Sequence, residues 1–169
     1  MLNLRLAATI LSVSPSRAVE AIAQSTHALR TLKQSFGDEH VLVAWGYGIY
    51  GRMLAVLGRP RAGLDVSREA VRIAQGHHLD HPVLLVTLLL KLSDALMETG
   101  GLAAADAALR QAISVVSDRL GAQHPLAVLV RCRQARLELL QGLPRDCARL
   151  VDSALTLSSE VLGRTHMVV

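Results

Sequence analysis

Four groups of residues in this chain have types and spacings that could do chemistry. His77, His78 and His81 cluster, and His77 and His81 stand four apart, a separation that can put two imidazoles on one helical face for a metal ion. Gly76 and Pro82 bracket them, which works against a continuous helix presenting both, and no nearby cysteine or second carboxylate completes a ligand set. The cluster therefore reads as loop. Gly46-Tyr47-Gly48-Ile49-Tyr50-Gly51 matches the G-x-G-x-x-G spacing that lets backbone amides approach a pyrophosphate. That chemistry needs a preceding strand, a following helix and a later acidic residue, and no alternation of strands and helices follows. Cys132 with a histidine would make a nucleophile and base, but the histidines fall in turns and Cys132 on a predicted helix. Asp38 and Glu39 lie in a turn, while Asp94 and Glu98 are four apart, as on a solvated helix face. No acid, base and nucleophile converge. The expectation is a protein that is not an enzyme and uses no cofactor and no metal.

Composition narrows the class further. The chain has 169 residues, 51% of them apolar and 19% charged, enough for one domain with a substantial core. Its aromatic residues are Phe36, Trp45, Tyr47 and Tyr50. That poverty argues against β-sandwiches and barrels, and against the stacking platforms that bind single-stranded nucleic acid. The net charge is +4. The basic residues are spread out, with Arg131, Arg133 and Arg136 the densest group, so no nucleic-acid patch forms. The longest interior apolar run, His81 to Leu90, is about half of what a membrane span needs, and no membrane partner is expected. Met1 to Val13 is apolar around Arg5, lacks the basic cluster and cleavage site of a signal peptide, and reads as helix. Cys132 and Cys147 read as buried small hydrophobes in a reducing compartment, which places the chain in the cytoplasm.

The elements that would position these residues emerge from a period. His40, His81, His124 and His166 are separated by 41, 43 and 42 residues, each in a similar phrase such as Leu120-Gly-Ala-Gln-His124-Pro125. Gly58, Gly100 and Gly142 repeat at 42, as do Ala28, Ala70, Ala112 and Ala154. Two further columns of small residues keep the same step: Ala21, Gly63, Ala105 and Cys147, and Gly51, Ser93 and Ala135. Between each His and the mid-repeat Gly lies a helical pattern such as Val83 to Glu98. Pro82 and Pro125 suit its first position, and the Gly suits a left-handed stop. A second helix follows, for example Ala103 to Leu120. The other second helices are expected at Arg17 to Ser35 and Asp146 to Leu162, with Pro60 and Pro144 again suiting helix starts. Small residues at a fixed register let paired helices approach closely, and each pair completes its core by stacking on copies of itself.

This pattern resembles the tetratricopeptide repeat. The Leu-Gly-x-x-His-Pro phrase and the 42-residue length resemble the kinesin-light-chain type. The resemblance implies an all-α, right-handed superhelical solenoid of about eight helices in antiparallel pairs. It spans residues 1–169 as one domain, with repeats at about 1–39, 40–81, 82–124 and 125–166. It also implies a non-catalytic scaffold that binds a peptide or helix of a protein partner on a concave face lined by the first helices. On that face the register puts Trp45, Gly48 and Arg52 in the second repeat. The third contributes Leu90, Lys91, Asp94 and Met97, and the fourth Leu129, Cys132, Arg133 and Arg136. Such repeats usually carry an Asn three residues before the small position. Here Gly48, Leu90 and Cys132 stand there, and none can make the amide contacts of an Asn.

The mixed apolar and basic surface suits an acidic or amphipathic partner, with Trp45 as an anchor. The alternative is a regulatory or sensor segment of a larger signalling or transcription-regulating protein. The last helix shows Leu150, Val151, Leu155, Leu157 and Val161, an apolar set expected to support self-association through the C-terminal helix pair.

Overall fold

The computed structural model describes residues 18–77 and 80–166. Among them the chain forms seven α-helices and one π-helical turn, with no strand. The helices are α1 (Ala18–Phe36), α2 (Val41–Val56), α3 (Pro60–Gly76), α4 (Pro82–Glu98), α5 (Leu102–Val115), α6 (Pro125–Leu140) and α7 (Pro144–His166). The π-turn, Val116–Leu120, extends α5. The expected helix over Met1 to Val13 lies outside the described residues, as does His78 of the histidine cluster.

Boundaries follow the punctuation of the sequence. Pro60, Pro82, Pro125 and Pro144 each open a helix, where a missing N–H leaves no bond unmade. Gly58, Gly100 and Gly142 have φ of 74°, 80° and 79°, and each turns the chain out of its first helix by the left-handed conformation that glycine adopts without strain. The histidines at the repeat junctions do more than recur. His40 and His124 are N-caps: Nδ1 of His40 accepts from the Leu42 N–H at 3.2 Å, and Nδ1 of His124 from the Leu126 N–H at 3.1 Å.

The chain divides into two compact units, Met1–Leu84 and Leu85–Val169. In the first, α1 packs on α2 and α2 on α3. Ala21, Met53 and Ile49 join α1 to α2, where the Ser25 hydroxyl lies 3.0 Å from Met53 Sδ and donates to the Ala21 carbonyl at 2.8 Å. The tightest approach is between Gly51 of α2 and Gly63 of α3. A methyl group placed at Gly63 would lie 2.6 Å from the Gly51 carbonyl oxygen, and one at Gly51 would lie 2.6 Å from Ser67 Oγ. In the second unit α5 packs on α6 and α6 on α7. Past its first turn, helix α4 is buried except along one narrow stripe, Thr87, Lys91, Asp94 and Glu98, with Leu85, Leu88, Leu89 and Leu96 in the core.

The small-residue columns sit where close packing demands them. Ala28, Ala70, Ala112 and Ala154 are all buried, as are Ala21, Gly63 and Ala105 and the set Gly51, Ser93 and Ala135. Cys147, the last member of the Ala21 column, is half-buried. The Gly46 to Gly51 segment is interior to α2, so its glycines serve helix contact and no phosphate loop forms.

Candidate interaction surface

The first helices carry the residues that the register points to. In the second unit, Asp94 of α4 stands between two arginines of α6. Its Oδ1 accepts from Arg136 Nη1 at 3.1 Å and its Oδ2 from Arg133 Nε at 3.3 Å. The side chains of Asp94, Arg136 and Arg133 are 26%, 47% and 35% exposed, so the cluster is partly screened from water. One carboxylate against two guanidinium groups leaves an excess positive charge on this surface. Leu129, Arg133 and Arg136 fall at i, i+4 and i+7 and share one stripe of α6. Leu129 is 44% exposed, an apolar side chain beside the charged cluster. Lys91 is half-buried on α4, one turn before Asp94.

Two members of the expected surface are core residues instead. Leu90 and Met97 are buried, because α4 is enclosed on nearly every face, and neither offers surface to a partner. The reverse holds for Cys132, which is exposed rather than buried. Helix α6 buries Ala127, Val130 and Leu137, and at 100° per residue Cys132 falls outside that face. In the first unit, Trp45 is half-buried and Arg52 exposed on α2. Each occupies the register position of a residue on α6: Trp45 lies 84 residues before Leu129, and Arg52 lies 84 before Arg136, two repeats in each case.

A second network has no signal in residue spacing. At the turn between α1 and α2, Arg72 of α3 bonds Glu39 Oε1 at 2.6 Å and Glu69 Oε1 at 2.8 Å. Nε2 of His77 lies 2.8 Å from the Glu39 carbonyl oxygen, so this histidine ties the loop after α3 to that turn. Lys33 pairs with Asp38 at 3.1 Å and lies 5.2 Å from the centre of the Tyr47 ring, while Phe36 stacks on His40 with centroids 4.8 Å apart. Tyr47 first, then Asp38, hold the Lys33 ammonium above its ordinary value, and Arg72 holds the Glu69 carboxyl below its own. These contacts clamp a turn.

A polar cleft of about 780 Å³ between α5, α6 and α7 collects Asp106, Arg110, Glu138, Asp146 and Arg149. Arg110 pairs with Asp106 at 2.5 Å and Arg149 with Asp146, each on its own helix, as on solvated faces. No group of three or more His, Cys, Asp or Glu residues is placed to hold a metal among the described residues. No described helix is long and apolar enough to cross a membrane.

No family model and no curated protein matches the chain. Among solved structures it is similar to two of a protein of Podosopora anserina designated a kinesin light chain, with nearly identical TPR-like repeats, one of them a point variant. Both share 13% sequence identity with this chain at a TM-score of 0.45. The alignment covers 95% of this chain and 94% of the point variant, and 94% of each chain in the other comparison.

Proposed function

We propose that this chain is a non-catalytic, TPR-like interaction scaffold that binds an acidic or amphipathic peptide of a protein partner along the first helix of its repeats. The observation that carries this reading is the Asp94–Arg133–Arg136 cluster beside the exposed Leu129. An aliphatic side chain of the partner would rest on Leu129, and its carboxylates would meet Arg133 and Arg136, whose charge Asp94 only half offsets. Lys91 adds to the positive field on α4. Trp45 and Arg52 carry the corresponding roles on α2. The test is a panel of labelled peptides matched in apolar content and graded from acidic to basic, followed by fluorescence anisotropy. Acidic members should bind, more weakly as salt rises, and the charge reversals Arg133→Glu and Arg136→Glu should abolish binding. Equal binding of basic and acidic peptides, or binding indifferent to both reversals, refutes the reading.

We also infer self-association through the end of α6 and the outer side of α7. Leu139, Leu140, Leu143, Val151 and Leu155 are all exposed there, an unusual concentration of large aliphatic surface.

A further inference from the structure

The side of α6 turned away from Leu129 and Arg136 borders a separate feature. Between the end of α5, the π-turn and the first half of α6 lies a cavity of about 390 Å³. That is at the small end of ligand-sized sites, which run ~300–1,000 Å³. Val116, Ala127 and Val130 are buried and form its apolar lining. Among the described residues, Arg131 is the one charged residue that lines it. The guanidinium Nη1 is buried and meets no hydrogen-bond acceptor among them. Asp118, the nearest carboxylate along the chain, accepts from Ser114 Oγ and Ser117 Oγ, each at 3.0 Å.

This is an energetic oddity with a direction. A buried donor left without an acceptor costs roughly 1–3 kcal/mol, more when it is charged, and a guanidinium cannot relieve the cost by losing its proton. The backbone beside it is also irregular. Gly37 ends α1 with a bond of 2.8 Å from its N–H to the Lys33 carbonyl, an ordinary four-residue step. Gly121, at the same register two repeats later, bonds instead to the Val116 carbonyl at 2.8 Å, a five-residue step. Turns of this π type are rare and recur at functional sites. Here the turn contributes Val116 and Ser117 to the cavity wall.

We propose that this cavity binds a small monocarboxylate with a compact apolar body. Its carboxylate accepts from the Arg131 guanidinium, which turns to bring the covered Nη1 into the cavity, and its body rests on Val116, Ala127 and Val130. A water molecule would supply an acceptor without a countercharge, and a neutral apolar ligand would match the lining without satisfying the arginine. A carboxylate on a short hydrocarbon does both. The size of the cavity favours a free small acid over a peptide segment. The site uses the opposite side of α6 from the peptide surface proposed above and stands independently of it.

The experiment is a titration of the isotopically labelled full chain, followed through backbone amide signals. The probes are hexanoate and phenylacetate, their amides, and a short peptide ending in leucine with a free C-terminus. The acids should give saturable shifts at Ser117, Ala122, Arg131 and Gln134, and the amides should bind at least about tenfold more weakly, as expected for loss of a charge-assisted bond. Arg131→Gln should lose the acids by a similar factor while keeping its helical circular dichroism. Ala122→Leu, at the exposed rim, should weaken both acids without changing Arg131. Amides binding as tightly as acids, no loss in Arg131→Gln, shifts centred on Arg133 and Arg136, or preference for the peptide would each overturn the proposal.

Discussion

Asp94 and Arg136 are forty-two residues apart, occupy the same position of successive repeats, and form an ion pair at 3.1 Å. The repeat thus places a residue against its own counterpart, and opposite charges at that position attract where like charges would repel. Arg133 adds a second partner to the same carboxylate. Asp94→Asn should therefore destabilise the fold modestly, by ~1 kcal/mol, since exposed or half-exposed pairs rarely exceed that value. Half-molar salt should shrink the loss, because it shortens the screening length to a few ångströms. The same variant should bind acidic peptides more tightly, since both arginines lose their competitor. Urea midpoints and peptide anisotropy on one preparation check the two outcomes together.

Glycine positions in the α2–α3 pair should respond with opposite signs. Alanine at Gly63 would press its methyl against the Gly51 carbonyl oxygen, a backbone atom that cannot step aside. Overpacking of that kind costs ~1–3 kcal/mol, which outweighs the gain of up to ~1 kcal/mol from better helix propensity. At Gly76, the last residue of α3, an added methyl meets nothing within 4 Å. Gly76→Ala should be neutral or stabilising by up to ~1 kcal/mol. Thermal melts of the two variants beside the parent decide the matter.

Both histidine caps accept a backbone N–H through Nδ1, His40 from Leu42 and His124 from Leu126. An N-cap contributes ~1 kcal/mol, and asparagine offers a side-chain oxygen in the same place. His124→Ala should therefore lose about 1 kcal/mol in urea melts, while His124→Asn should keep most of the parent's stability. Equal losses in the two variants would mean that the ring matters through packing and not through its lone pair.

Much of this architecture is legible in the sequence because packing forces a repeated residue type. Ala70 and Ala112 are fully buried, so the alanine column records where helices pack closely. The glycines at 58, 100 and 142 record a backbone angle, and the prolines record helix starts. Other features leave no periodic trace. By spacing, Asp94 reads as half of a pair with Glu98 on a solvated face; its true partners lie 39 and 42 residues on, and only the opposite charges at positions 94 and 136 of one register column hint at them. The register misplaces Leu90 and Met97 because the exposed stripe of α4, formed by Thr87, Lys91, Asp94 and Glu98, is narrow and both residues fall just outside it. The π-turn has no signature in residue type, since the glycine that ends it has its counterpart at Gly37 after a regular helix.

The Arg72 network supplies a pH dependence of definite sign. Glu69 has its folded value depressed by Arg72, so its contribution is present above the unfolded value and is lost as pH falls through the folded one. Lys33 has its folded value raised, so its contribution is present below the unfolded value and fades at alkaline pH. Arg72→Gln should lower stability near neutrality, and the gap to the parent should close as pH drops below the carboxylate range. Both groups are partly exposed, so salt should narrow the gap as well. Denaturant melts across pH, with and without salt, measure both effects.

Val151 and Leu155 lie four apart on α7 and face water together, with Leu155 64% exposed. Apolar side chains at that spacing form a stripe that a second helix can cover, and an identical stripe on another copy of the chain is a ready complement. The double variant Val151→Lys and Leu155→Lys removes that stripe without touching Ala154 or Leu157, which are buried on the other side of the helix. Light scattering should show the parent's mass rising between ~10 and ~100 µM, a range typical of weak association, while the variant stays monomeric with an unchanged melting temperature. A parent that remains monomeric throughout that range would show that the exposed leucines do not join copies of the chain.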